Sequence, residues 1–297
     1  MKKQAEFYSP KAKSRENGLD PRTHAIRPDL ADHQLKDLVE ADRYVDFSLA
    51  HALLGRTAIL DRPQEGATQV SELLFNEAVH VFERGDDYAW VQCVHDDYVG
   101  YVDAHALDYS DDQRTSTHRL STAISHIYPS SNLKTRPIME VYGGTTFNIA
   151  FDAPRDKGFV EIKYNQWIYE AHLTQEPGDI LTIAKSYLGA PYLWGGRTLR
   201  GIDCSGLVQM ALMRAGLPCP RDSDMQAKVL GEPIEGDLRV GDIIFFPGHV
   251  GIMVDETHLL HANAYHMAVT IDPLEEVIKR IRRDHQNPVT AQKRLIL

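Results

Sequence analysis

Between residues 54 and 108 the chain alternates short apolar runs with turn residues. TAIL (57–60), LLF (73–75), AVHVF (78–82), AWVQCV (89–94) and YVGYV (98–102) are rich in β-branched and aromatic side chains. They are separated by Glu83-Arg84-Gly85-Asp86-Asp87 and His95-Asp96-Asp97, which supply turn chemistry. Close spacing of short strands predicts a small β-barrel. Residues 118–172 repeat the style in STAISHIYP, VYGGTTFNIAFD, GFVEIKY and NQWIYEAHL, predicting a second one. After Glu176-Pro177-Gly178-Asp179 the period changes. DILTIAKSYL and LVQMALMRAG carry apolar residues at helical spacing, and the second run stops at Gly216, a residue suited to follow a helix. DIIFFPGHVGIMVD and HLLHANA then read as strands, the first folded back at Pro247-Gly248. Residues 1–50 are polar. Pro21 and Pro28 favour extended chain before them, and Asp32–Arg43 has the length of a short helix. The expected organisation is an extension over 1–50, β units over 51–110 and 111–175, and an α+β domain over 176–297.

Composition narrows the function. With 297 residues, 43% hydrophobic and 25% charged, the chain is an ordinary globular sequence of about two domains or more. A net charge of -10 argues against a nucleic-acid partner, which would call for a basic surface. No apolar run is long enough to span a membrane, and the lysines of MKKQAEF are followed by polar residues rather than a signal-peptide core. Three cysteines, Cys93, Cys204 and Cys219, without CxxC spacing suit a reducing compartment, so a cytoplasmic location is expected. No HExxH or paired CxxC occurs, and the fourteen histidines form no ligand pattern, so neither metal nor cofactor is called for.

The candidate chemistry lies in PYLWGGRTLRGIDCSGLVQMALMRAGLPCPRDSDMQ, residues 191–226. A glycine loop leads into Asp203-Cys204-Ser205 at the start of a predicted helix. Free N–H groups and the helix dipole there favour a thiolate. The plainer reading is a buried structural cysteine, the common fate of a free thiol and the one expected for Cys93 and Cys219. His249, directly after a turn, is a candidate general base. On the following strand His261 and Asn263 share a face, and either could orient its imidazole. Asp203 reads equally as a helix N-cap.

PYLWGG, DCSG, GHVGI and the histidine of HANA, in that order, resemble the NlpC family of cell-wall cysteine peptidases. The run LLFNEAVHVFERGDDYAWVQCVHDDYVGYVD resembles a bacterial SH3-like domain. The implied fold is a papain-like α+β domain behind two SH3-like barrels. The resemblance implies Cys204 as nucleophile, His249 as base and His261 as the third, orienting residue. With PRDSDMQ matching an RDSxxQ motif, the arrangement is similar to γ-D-glutamyl-L-diamino acid endopeptidases that act on murein-derived peptides with a free N-terminal L-Ala. By that likeness Asp203, Ser205 and Ser223 hold the substrate's amine and backbone, and Asp222 supports Ser223 or supplies charge. The first barrel contributes Tyr98 and an acid, for which Glu72 is preferred to Glu77. The bland alternatives are a barrel aromatic and solvated glutamates. Two rival functions remain: an N-acetylmuramoyl-L-alanine amidase on the same core, and a wall-binding module without catalysis. Oligomeric state, peptide length, the diamino acid and the role of residues 1–50 are not legible.

Overall fold

The computed structural model describes residues 18–110, 116–163 and 165–296. The MKKQAEF start, 111–115 and Leu297 lie outside the described residues. Strands dominate, with four α-helices: α1 (Ile180–Lys185), α2 (Cys204–Arg214), α3 (Ser223–Val229) and α4 (Leu274–Ile281). Among the described residues no helix is long and apolar enough to cross a membrane.

Residues 48–108 form a seven-stranded antiparallel sheet. Alternate side chains of its strands, including Ile59, Val79, Val91 and Val102, meet in one core. Register shifts at Ile59/Leu60 and Val81/Glu83 mark bulges of the kind that bend a strand. Residues 118–174 build a second β unit from three small sheets around Leu120, Ile127, Val141, Phe147, Val160 and Ile168.

The last region holds a six-stranded antiparallel sheet. In spatial order its strands are Glu232–Pro233, Ala291–Arg294, Ile243–Phe246, His249–Met253, His258–Asn263 and Ala268–Pro273. α2 packs on it through Leu207, Val208 and Ala211, which share a core with Val250, Ile252 and Leu260. Its carboxyl end closes at Gly216, which adopts φ 82° and donates its N–H to Met213 O. At its other end α2 lies very close to the glycine loop. A Cβ on Gly206 would come within 2.4 Å of Gly196 O, so the helix start can approach the loop only without a side chain there.

The amino-terminal segment lies along the first β unit. Ala25 and Leu30 are buried against Phe82 and Trp90, and the Val99 N–H donates to Arg22 O. The helix expected over Asp32–Arg43 is absent: only one 3-10 turn forms, His33–Leu35, capped by Asp32. Leu35, Leu38 and Val39 are not buried, so no apolar face offsets the cost of nucleating a longer helix.

The first β unit is locked to the last domain by Arg197, whose side chain is 0% exposed. Its guanidinium donates to both oxygens of Glu77, at 2.8 and 3.0 Å, and to Glu72 O at 2.6 Å. Its backbone N–H donates to Glu72 Oε2 at 2.8 Å. Truncating one partner of such a pair strands the other charge in a dry interface. Arg197→Ala is therefore expected to destabilise the fold by about 3–5 kcal/mol. Chemical denaturation measures this, and a loss below about 1 kcal/mol, typical of exposed pairs, would refute the lock.

Candidate active site

The start of α2 is set by one carboxylate. Asp203 is the N-cap, accepting the Gly206 N–H on Oδ1 at 2.7 Å. Its Oδ2 accepts the Gly195 N–H at 2.7 Å, tying the glycine loop to the helix. Arg221, also buried, donates to both oxygens at 3.0 and 2.6 Å. Asp203 thus caps the helix with an ion pair added, and both of its oxygens are engaged by protein donors. Ser205 is turned inward too. Its Oγ donates to Asp203 Oδ1 and accepts from Arg221 Nη1 at 3.0 Å, so it braces the helix start rather than opening to a ligand.

This scaffold presents Cys204 at the first helical position, 5% exposed. The backbone N–H groups of Val250 and Ser205 favour a thiolate at this position. They do not prevail. Burial, and then the negative Asp203, push the thiol up to about 12. The helix start alone predicts the opposite sign, because sequence shows the dipole but not how dry the site is.

Val250 follows His249, which opens its strand opposite Phe246. His249 Nε2 lies 2.7 Å from His261 Nδ1, the rings being nearly edge to face. His261 Nε2 reaches Asp272 Oδ2 at 3.4 Å. Asp272 also takes Arg280, from α4, and His266 at 3.2 Å. The alternative of Asn263 as the orienting group is closed by this geometry. Its amide donates to Thr270 Oγ1 at 2.9 Å and its Oδ1 accepts the His266 N–H at 2.9 Å. Burial, with His261 adding to it, brings His249 down to about 3. Burial likewise brings His261 down to about 4, against the opposing pull of Asp272. The resting site is uncharged: a thiol and two neutral imidazoles.

Asp222 occupies the N-cap position of α3 but makes no capping bond. Its Oδ2 accepts instead from the Tyr98 hydroxyl of the first β unit at 3.1 Å and from Arg22 Nη1 at 2.8 Å. Burial raises its pKa, while Arg221 and Arg22 pull the other way. Tyr98 is 5% exposed, and burial followed by Asp222 holds its hydroxyl protonated. Ser223 stands next to Asp222, half-buried. Glu72, expected as the barrel's acid, lies where the first β unit meets the last domain. It is 1% exposed, with Oε1 on Arg56 at 2.7 Å and Oε2 on the Arg197 N–H, so it belongs to the interface lock.

Several contributors escape sequence reading. Arg221 and Gln226 sit inside the recognised motif without a role. Gln226 donates to Ser205 O and Pro220 O, both at 2.9 Å, joining α3 to α2. Asp272 and Arg22 carry no local signal, since their partners are eleven and two hundred residues away. The described residues also bring Cys93, His95 and Asp96 together, with donor atoms within 4.8 Å. Asp96 there accepts from Gln209 and the Tyr98 N–H, and His95 faces Asp96 and Glu77, so these charges are already matched.

With this geometry in hand, known proteins give a consistent picture. The profile of the NlpC/P60 family matches residues 189–284, and that of the bacterial dipeptidyl-peptidase Sh3 domain matches residues 59–107. The chain is similar to dipeptidyl-peptidase 6 of Lysinibacillus sphaericus, 28% identical over 77% of this chain and 93% of that protein. It is also similar to a gamma-D-glutamyl-L-lysine dipeptidyl-peptidase of Bacillus subtilis, 36% identical over 34% of this chain. That match spans only 36% of the relative's length. An NlpC/P60 family protein from Bacillus cereus superposes with a TM-score of 0.70 at 19% identity, over 84% of this chain and all of that one, which shows the fold.

The two depressed imidazoles fix how stability depends on acidity. Unfolded histidine titrates near 6.5, whereas His249 in the fold titrates near 3. Between those values the unfolded chain takes up a proton that the folded site refuses, so stability is complete above about 6.5 and drains away as pH falls toward 3. His249→Gln should flatten part of that acid limb in equilibrium unfolding measured from pH 7 to pH 4. An unchanged slope would mean that His249 charges freely in the fold.

Proposed function

The chain carries a peptidase domain of the NlpC/P60 family behind a bacterial SH3 domain, and on that premise we propose a cysteine endopeptidase. It hydrolyses the γ-D-glutamyl bond to an L-diamino acid in peptidoglycan-derived peptides that have a free N-terminal L-Ala. We read the second β unit as a diverged SH3-like barrel. The name of the gamma-D-glutamyl-L-lysine dipeptidyl-peptidase relative supports the bond type.

The observation that carries the substrate reading is Asp222. A carboxylate at a helix N-cap ordinarily turns back onto the helix. This one turns outward to a tyrosine of another domain and stands beside the half-buried Ser223. A half-buried carboxylate with one oxygen outside its Tyr98 and Arg22 contacts suits a substrate ammonium, which costs much to desolvate without a charged partner. Of the residues first considered for amine binding, Asp222, Ser223 and Tyr98 remain; Asp203, Ser205 and Glu72 build the frame.

The mechanism starts from the neutral pair. Burial penalises either charge alone, but moving the proton from Cys204 Sγ to His249 keeps the site net neutral, and the Val250 and Ser205 N–H groups then meet a thiolate. His261, backed by Asp272, holds the imidazole in place. The thiolate attacks the γ-carbonyl carbon, and the developing oxyanion is received by first-turn N–H groups of α2 that lack intrahelical partners, Cys204's among them. The His249 imidazolium then gives its proton to the departing amine as the C–N bond breaks. Water, deprotonated by the same imidazole, opens the thioester and restores the thiol. A free-amine requirement suits peptides already cut from the wall, so the reading extends to peptide recycling in the cytoplasm.

Cleavage of free L-Ala-γ-D-Glu-diaminopimelate, beside its N-acetylated form, tests this reading. Wild type should cut only the free peptide and Cys204→Ala neither. His249→Ala should lose roughly 10²–10⁴-fold in kcat. Equal cleavage of both peptides would leave a peptidase without an amine subsite. Release of L-Ala from muramoyl peptides instead would favour an amidase.

A further inference from the structure

The amino-terminal segment reaches the candidate subsite. Arg22 O accepts the Val99 N–H and Thr23 O accepts Gln92 Nε2 at 2.9 Å, so the backbone at 22–23 lies beside the strand that follows Tyr98. From there the Arg22 side chain crosses to the start of α3. Nη1 donates to Asp222 Oδ2 at 2.8 Å and to Asp224 Oδ1 at 2.9 Å, and Nη2 donates to Asp224 Oδ2 at 2.8 Å. Nε and Nη2 are held by Asp20 at 3.1 and 2.8 Å. All three guanidinium nitrogens are spent, a degree of fixation that exposed surface arginines seldom reach.

Two features give this bridge a meaning for selectivity. Arg22 and Tyr98 bind the same oxygen of Asp222, so Oδ1 takes part in neither contact and is presented at a fixed angle. Three carboxylates, Asp20, Asp222 and Asp224, surround the Arg22 guanidinium, and Lys228 meets Asp224 at 3.8 Å, so the cluster keeps one net negative charge and can still receive an ammonium.

We propose that Arg22 is a specificity-determining residue, fixing the Asp222 carboxylate so that its unshared oxygen meets a substrate's free ammonium and peptides with that amine are cut in preference. The proposal rests on the amine-subsite reading above. Arg22 acts through Asp222 and is a positioning residue, so kcat is expected to stay near wild type. Arg22→Met, which keeps the stem but loses the charge and the donors, should raise KM for free L-Ala-γ-D-Glu-diaminopimelate about tenfold, the scale of one charge-assisted hydrogen bond. It should also narrow the preference for that peptide over its N-acetylated and N-terminally extended forms. Arg22→Lys, with charge but without the fork, should fall between, and thermal unfolding of each variant checks that the segment remains docked. A lowered KM in Arg22→Met would overturn the proposal, since Arg22 would then be competing with the substrate's ammonium. An unchanged preference would overturn it as well, leaving Arg22 as a tether. If wild type itself does not prefer the free amine, the amine-subsite reading fails first and the role of Arg22 with it.

Discussion

One buried ion pair organises the catalytic half of the molecule. Asp203 and Arg221 are both almost fully enclosed, and between them they bind four separate pieces of chain. Asp203 holds the glycine loop through Gly195 and the helix through Gly206. Arg221 brings in the loop before α3 and reaches Ser71 of the first β unit through Nε at 3.1 Å. Such a pair adds little net stability, because desolvating two ions offsets most of their attraction. Its contribution is position. The helix start, the sulfur on it and the carboxylate one residue beyond Arg221 all take their places from this contact.

The same dryness governs the chemistry. Neither Cys204 nor His249 carries charge at rest, and each is pushed away from its charged form by burial before any other influence acts. In the proposed reaction such a thiol is latent. It becomes a thiolate when its proton has somewhere to go, and the histidine pair backed by Asp272 is the available acceptor. A site that ionises only with substrate in place exposes no standing thiolate to oxidants in the meantime.

Much of this was legible in the sequence. The two β regions, the helix that begins at Cys204 and ends before Gly216, and the hairpin that starts with His249 follow from local periodicity and turn residues. The two-residue alternation that placed His261 and Asn263 on one face narrowed the choice without making it. Selecting between them required the neighbouring strand, where Thr270 takes the asparagine. What failed, failed for a common reason. Asp203, Ser205 and Glu72 are polar residues near the proposed site, and sequence cannot tell a polar group open to a ligand from one spent on an arginine of the same chain. Here Arg56, Arg197 and Arg221 decide that, and each meets its carboxylate across a long stretch of chain. The dry setting of Cys204 was likewise invisible, since it arises from packing rather than from its neighbours in sequence.

The bridge between Arg22 and Asp222 has a consequence for how the molecule comes into being. Two hundred residues separate its ends, and closing so wide a loop is entropically slow compared with the local hairpins and helix that hold Cys204 and His249. On a ribosome the arginine emerges early and waits for a partner made near the end of synthesis. The strands and helix that carry Cys204 and His249 can therefore assemble before the proposed selectivity element is in place, and under that proposal selectivity is the last property the folding chain acquires.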